Sequence, residues 1–229
     1  MARRRQLLAA PALIALPAAA ETGRELDLLL VLAMDASGSI DHDEFLLQRE
    51  GYAEALTHPA VLAAIAAKPR GAIGIAVLEW GSPGGSELIL DWTVVDGPAA
   101  AEALAGRLLA APRSRQSWNA IGDAIQHASR LLREGPFRAP QLVIDISGDG
   151  PDARSLQPAP MARDSAVRQG VVINALAIAG PGTLTRAGER LAEHYRRDVI
   201  GGPGAFVIEA ESRRDLARAL RAKLLREIA

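Results

Sequence analysis

The sequence predicts an α/β protein in three layers: a doubly wound, mainly parallel sheet with helices on both faces. Three observations carry this. Strand-like apolar runs alternate with segments of helical period along the chain. The runs at Leu28 to Met34 and Gln141 to Ile146 are close to continuously apolar, as strands buried on both faces are. A short turn, Ser82-Pro83-Gly84-Gly85, separates two β-rich runs, which makes one strand antiparallel.

The elements follow in order. Leu28 to Met34 (LLLVLAM) is the first strand, bounded by Asp27 and Asp35. Asp41 offers an N-cap and Glu44 its capping-box partner. Phe45, Tyr52 and Leu56 then share one helical face, and Val61 to Ala67 is a short helical piece before Pro69. Ala72 to Trp80 and Glu87 to Val94 form the hairpin, and Ala99 to Leu109 a helix. Ile121, Ala124, Ile125, Ala128 and Leu132 mark the next helix. The strand at Gln141 to Ile146 runs into Ser147-Gly148-Asp149-Gly150. Val171 to Ala179 is a strand, Leu184 to Arg197 a helix, and Ala205 to Ile208 a short strand. Ser212 with Asp215 caps a last helix whose apolar face is Leu216, Ala219, Leu220 and Leu224.

Composition narrows the function. Of 229 residues, 49% are hydrophobic, enough for a sizeable core, and 23% charged, ordinary for a globular domain. The net charge of −1 gives no support to nucleic-acid binding. Aromatic residues, at 3%, are too few for a base-stacking surface. The absence of cysteine excludes disulfides, thiolate metal sites and cysteine nucleophiles. Residues 1–20 read as a signal peptide: Arg3, Arg4 and Arg5, then an uncharged stretch, then Ala18-Ala19-Ala20 before Glu21. Arg4-Arg5-Gln6-Leu7-Leu8 also resembles a twin-arginine export signal. Removing the three arginines with this segment takes the net charge to −4. No later stretch is apolar and long enough to span a membrane, so the expected location is periplasmic or secreted.

The chemistry gathers at two strand ends. Asp35-Ala36-Ser37-Gly38-Ser39 places a carboxylate and two hydroxyls at alternate positions along a turn. Asp149-Gly150 adds a carboxylate after a second buried strand. Hard oxygen donors without His or Cys suit Mg²⁺, Mn²⁺ or Ca²⁺ rather than zinc. The same residue types also make ordinary turns, so place in the fold decides between the two readings.

Asp35-Ala36-Ser37-Gly38-Ser39 resembles the metal-ion-dependent adhesion site of the von Willebrand factor A domain, and Asp149-Gly150 resembles that family's second aspartate. The resemblance covers residues 25–229. Within it, Ser147-Gly148-Asp149-Gly150 and Val199-Ile200-Gly201-Gly202-Pro203-Gly204-Ala205-Phe206 are similar to an exported bacterial branch, domain of unknown function 1194. It implies a six-stranded sheet of order 3-2-1-4-5-6 with one antiparallel edge strand. It also implies a divalent cation, Mg²⁺ first, with a coordination position left for an acidic side chain of a protein partner. The family's threonine before the helix at Ile121 is replaced here, where Thr-x-Ile-Gly reads Asn119-Ala120-Ile121-Gly122. Asn119 can offer a carbonyl oxygen to the cation or cap the helix, and Ser117 is the alternative donor.

The expected function is an exported, metal-dependent protein-binding module of adhesion or scaffold type. The alternatives are a hydrolase with Asp35 or Ser37 as nucleophile, or a structural domain with a silent site. An aspartyl phosphatase of the haloacid dehalogenase type wants a second acid where Ser37 stands. A serine hydrolase wants a Gly-x-Ser-x-Gly elbow, which Ala36-Ser37-Gly38-Ser39 lacks. No Gly-x-Gly-x-x-Gly follows the first strand. The expectation is therefore no enzyme. His42, His58, His127 and His194 show no ligand spacing. Asp145 is read as supporting a metal ligand, and Arg186, Arg190, Arg196 and Arg197 as a solvated helix face. Trp80 and Trp92 are read as packing, and Trp118 as the one ring able to face a partner.

Overall fold

A computed structural model describes residues 23–210 and 212–229, without the side chains of Arg213 and Arg214. The signal-peptide reading at residues 1–20 and its cleavage point at Glu21 lie outside the described residues. The elements are β1 (Leu28–Asp35), α1 (His42–Thr57), α2 (Pro59–Ala66), β2 (Ile73–Trp80), β3 (Glu87–Val95), α3 (Pro98–Ala110), α4 (Ile121–Glu134), β4 (Gln141–Gly148), α5 (Ala159–Arg168), β5 (Val171–Ile178), α6 (Leu191–Asp198), β6 (Val207–Ala210) and α7 (Arg213–Ile228). They build one six-stranded sheet in the order β3-β2-β1-β4-β5-β6. β3 is antiparallel to β2 and every other pairing is parallel.

The apolar run of β1 serves both faces of the sheet because side chains alternate along a strand. Leu29, Val31 and Ala33 join the core under α4, α5 and α6. Leu28, Leu30, Leu32 and Met34 join the core under α1, α2, α3 and α7. All eight residues of β1 are buried. β1 pairs with β2 on one side and β4 on the other, so the sheet order reverses between β1 and β4. In such sheets that reversal opens a crevice at the carboxyl ends of the strands.

Four readings need correction. No helix is predicted between β4 and β5, yet α5 makes that crossover, as a parallel connection requires. Its buried face is only Ala159, Ala162 and Ala166, too faint a stripe to stand out. The helix read from Leu184 begins only at Leu191, because Gly188 at φ 79° breaks the segment and the chain folds into a Leu184–Arg190 bridge first. The last strand is Val207–Ala210, two residues later than Ala205 to Ile208.

Asp145 supports no ligand of the strand-end motif. It faces the α1 and α7 layer, where its Oδ1 lies 2.5 Å from Lys223 Nζ and accepts from Tyr52 Oη at 3.2 Å. The arginines near α6 are exposed, as expected of a solvated face, and are tied into surface ion pairs. Arg190 and Arg196 both pair with Glu209, and Arg197 pairs with Glu189 and Asp198. Arg186 is exposed as well.

Candidate metal centre

Asp35 ends β1 and is wholly buried. Its Oδ1 accepts the Ser37 backbone N–H at 2.8 Å, which turns the chain as it leaves the sheet. The turn brings Ser37 Oγ and Ser39 Oγ within 3.0 Å of each other. Ser39 Oγ then donates to Asp149 Oδ1 at 2.9 Å. The Asp149 backbone N–H closes the circuit on Asp35 Oδ2 at 3.3 Å. Four residues from two central strand ends, far apart in sequence, thus share one small polar ring.

Asn119 is held on the third side. Its backbone carbonyl accepts from Ile121 N at 3.0 Å and from Ala153 N at 2.7 Å, joining its loop to the one that carries Asp149. Its side chain does not cap α4. That role falls to the β4–α5 loop, where Asp152 Oδ1 and Ser155 Oγ accept from Gly122 N at 3.3 and 3.0 Å. Asn119 Oδ1 is buried with no hydrogen-bond partner. A Cβ on Gly150 would lie 2.6 Å from Asn119 Nδ2, so the glycine leaves the amide room to lie against the backbone next to Asp149. Ser117 is placed otherwise. Its hydroxyl meets Ser82 Oγ at 3.1 Å, while its carbonyl accepts from Gly38 N at 3.4 Å.

The electrostatics are those of a place built for positive charge. Burial, reinforced by the neighbouring Asp149 carboxylate, pushes the Asp35 carboxyl up to about 8. An unpaired buried oxygen such as Asn119 Oδ1 costs about 1–3 kcal/mol. Both penalties would be relieved by one hard divalent cation. Among the described residues no three His, Cys, Asp or Glu groups gather at one point, so the donor set here is two carboxylates completed by hydroxyls and an amide. Such a set fits Mg²⁺ or a similar hard ion.

Several supporting residues have no signal in the motif. Arg113 Nη2 donates to the carbonyls of Ala36, Ser37 and Ile40 at 3.1, 3.1 and 2.8 Å, clamping the turn from outside. Its guanidinium lies over the Phe45 ring, with Arg49 also against that ring. Arg49 and Glu79 form a buried pair at 2.6 Å. Arg49 also donates to the carbonyls of Leu108 and Pro112, and Glu79 accepts from Ser114 N at 2.7 Å, so the pair fixes the loop that carries Arg113. Gln48 reaches from α1 to Asp35 O at 3.4 Å and Ser147 Oγ at 3.3 Å. A charged residue inside the apolar run of β2, Glu79, was the only visible hint of this scaffold.

The sheet order and layering are those of the von Willebrand factor A fold. The vWF domain of the type V pili tip protein Mfa5 from Porphyromonas gingivalis superposes with a TM-score of 0.59 at 10% identity, over 87% of this chain and 94% of that one. The pilus adhesin SpaC from Lactobacillus rhamnosus GG gives 0.65 at 15% identity, over 89% and 31%. Proximal thread matrix protein 1 from the mussel byssus, in a form with a zinc-occupied MIDAS motif, gives 0.57 at 15% identity, over 89% and 46%. The chain thus spans about a third to a half of the adhesin and byssus proteins. Within this fold the chain belongs to the family described as protein of unknown function (DUF1194), whose model matches residues 25–229. A sequence search of curated proteins found no match.

Proposed function

We propose that the protein is an exported, cation-dependent protein-binding module. Asp35, Ser37, Ser39, Asp149 and Asn119 would hold Mg²⁺, or Mn²⁺ or Ca²⁺ in its place, and an acidic side chain of the partner would complete its coordination. The single observation behind this reading is the closed ring of Asp35, Ser37, Ser39 and Asp149, with the Asn119 amide, its Oδ1 buried and unpartnered, packed at Gly150 next to Asp149. Ser117, whose hydroxyl meets Ser82 Oγ at 3.1 Å, is the alternative fifth donor. The bound ion would supply a local positive charge able to bind a carboxylate.

The protein's own groups do the positioning. Asp35 and Asp149 supply negative charge, the two serine hydroxyls set the spacing, and Arg113 keeps the turn from opening. In this reading the site binds a carboxylate and does not turn over a substrate. The adhesin and pilus proteins with this fold support the reading at the level of fold.

Capture of exported proteins on the immobilised chain tests it, in Mg²⁺ or chelator, with Asp35→Ala as control. A partner retained only by the wild type in Mg²⁺ is expected. A partner held equally by Asp35→Ala or in chelator would count against the cation.

A further inference from the structure

The two loops flanking the metal centre carry a second feature. Trp118, next to Asn119, is 49% exposed. The Arg154 guanidinium lies over its ring, 4.7 Å from the centroid. Arg154 belongs to the loop that carries Asp149, and the Ala153 N to Asn119 O bond of 2.7 Å holds the two loops together next to the pair. Arg154 is exposed and makes no hydrogen bond or ion pair among the described residues.

Its backbone is unusual as well. Arg154 is the one described residue other than glycine at positive φ, 68°. Arginine is a poor occupant of that region, where Asn, Asp or Gly would sit with less strain. Non-glycine residues held there concentrate at functional sites. The strained backbone aims the side chain onto Trp118. Stacking then fixes the guanidinium plane and leaves its edge donors pointing into solvent. A pre-oriented guanidinium edge matches a carboxylate and loses little freedom on binding it. Tryptophan and arginine are also the residue types that most often dominate interface energetics.

We propose that Trp118 and Arg154 form a second anchor for the partner, receiving a second carboxylate from the same acidic segment that reaches the cation. This rests on the cation-dependent reading above. The exported chain, at net −4, offers an acidic partner no long-range attraction. The charge that selects the partner is local, supplied by the ion and by one stacked arginine.

The test is selection of a displayed random-peptide library on the full chain in Mg²⁺, followed by affinity measurements on the selected peptides. Peptides with two acidic residues are expected. Arg154→Gly should bind them about tenfold or more weakly. It should keep the wild-type melting temperature, because glycine accepts this φ freely. Arg154→Lys should fall between, having charge without the planar fork. Neutralising one acid of the peptide should make wild type and Arg154→Gly equal. If the selected peptides carry one acid and bind wild type and Arg154→Gly equally, the second anchor is wrong. The cation reading survives that result if chelator or Asp35→Ala abolishes binding. Two-acid peptides that need Arg154 but bind equally in chelator would support the anchor and overturn the cation reading. A selection without acidic peptides overturns both.

Discussion

Asn119 is where the chain departs from the family motif and where the structure is most informative. The sequence leaves two roles open for it, ligand and helix cap. The geometry removes the second, because Asp152 and Ser155 satisfy the start of α4. What is left is a buried carbonyl oxygen with no partner. An oxygen kept this way weakens the protein unless something binds it. Asn119→Ala should therefore leave the metal-free protein no less stable. A gain of about 1 kcal/mol would raise the melting temperature by roughly 2–4 °C. The same variant should lose about tenfold in Mg²⁺ affinity, about 1.4 kcal/mol. Calorimetry and thermal melts together decide this. Lower stability with unchanged affinity would make Asn119 structural. The contiguous residues Asp35, Ser37 and Ser39 were legible because one turn carries them all. The Arg113 clamp was not, since its three carbonyl partners lie more than seventy positions away.

At the scale of elements, α7 is fastened to the sheet by buried charge. Lys223 Nζ, fully buried, lies 2.5 Å from both Asp145 Oδ1 and Glu227 Oε1. Asn174 Nδ2 donates to Glu227 Oε1 at 3.1 Å. Two carboxylates face one ammonium. Burial, with Asp145 adding to it, pushes Glu227 up to about 8. Lys223→Ala would leave two buried acids unmatched and should cost about 3–5 kcal/mol. That loss is roughly 10 °C or more in melting temperature for a domain this size.

The same group predicts a pH dependence. The folded protein keeps the Glu227 proton up to about pH 8, whereas the unfolded chain releases it near the ordinary 4.5. The contribution is fully present below 4.5 and is lost as pH rises through 8. Unfolding free energies at pH 5 and pH 8 should therefore differ more in wild type than in Glu227→Gln. Both must be measured in one metal-free buffer, so that the Asp35 titration is common to them. Equal slopes would refute the assignment. A lone Asp in an apolar strand could be seen from sequence. Its partner on the final helix could not, because pairing across 78 residues depends on which face α7 presents.

At the scale of the molecule, the alternation of runs was enough to anticipate the three layers. Continuous apolar strands are what a parallel sheet covered on both sides demands. The crossover α5 escaped because alanines at helical spacing make a weak stripe, and α6 was read too long because Gly188 was not given weight as a breaker. The export reading belongs to this scale. Among the described residues no helix is long and apolar enough to cross a membrane. The mature chain is expected to begin at or near Glu21, which an intact mass from the exported fraction would show. Recovery of the uncut chain in the cytoplasm would contradict it.

The central claim is that a cation sits on Asp35, Ser37, Ser39 and Asp149. Calorimetric titration with Mg²⁺ and with Mn²⁺, on wild type and on Asp35→Ala, tests it most directly. Asp35→Ala removes a carboxyl group at a strand end and no apolar core side chain, so the variant should stay folded with modest loss of stability. Micromolar-to-millimolar binding by wild type and none by the folded variant is the predicted result. Equal affinity in the two proteins, or no heat from either ion in wild type, would contradict it.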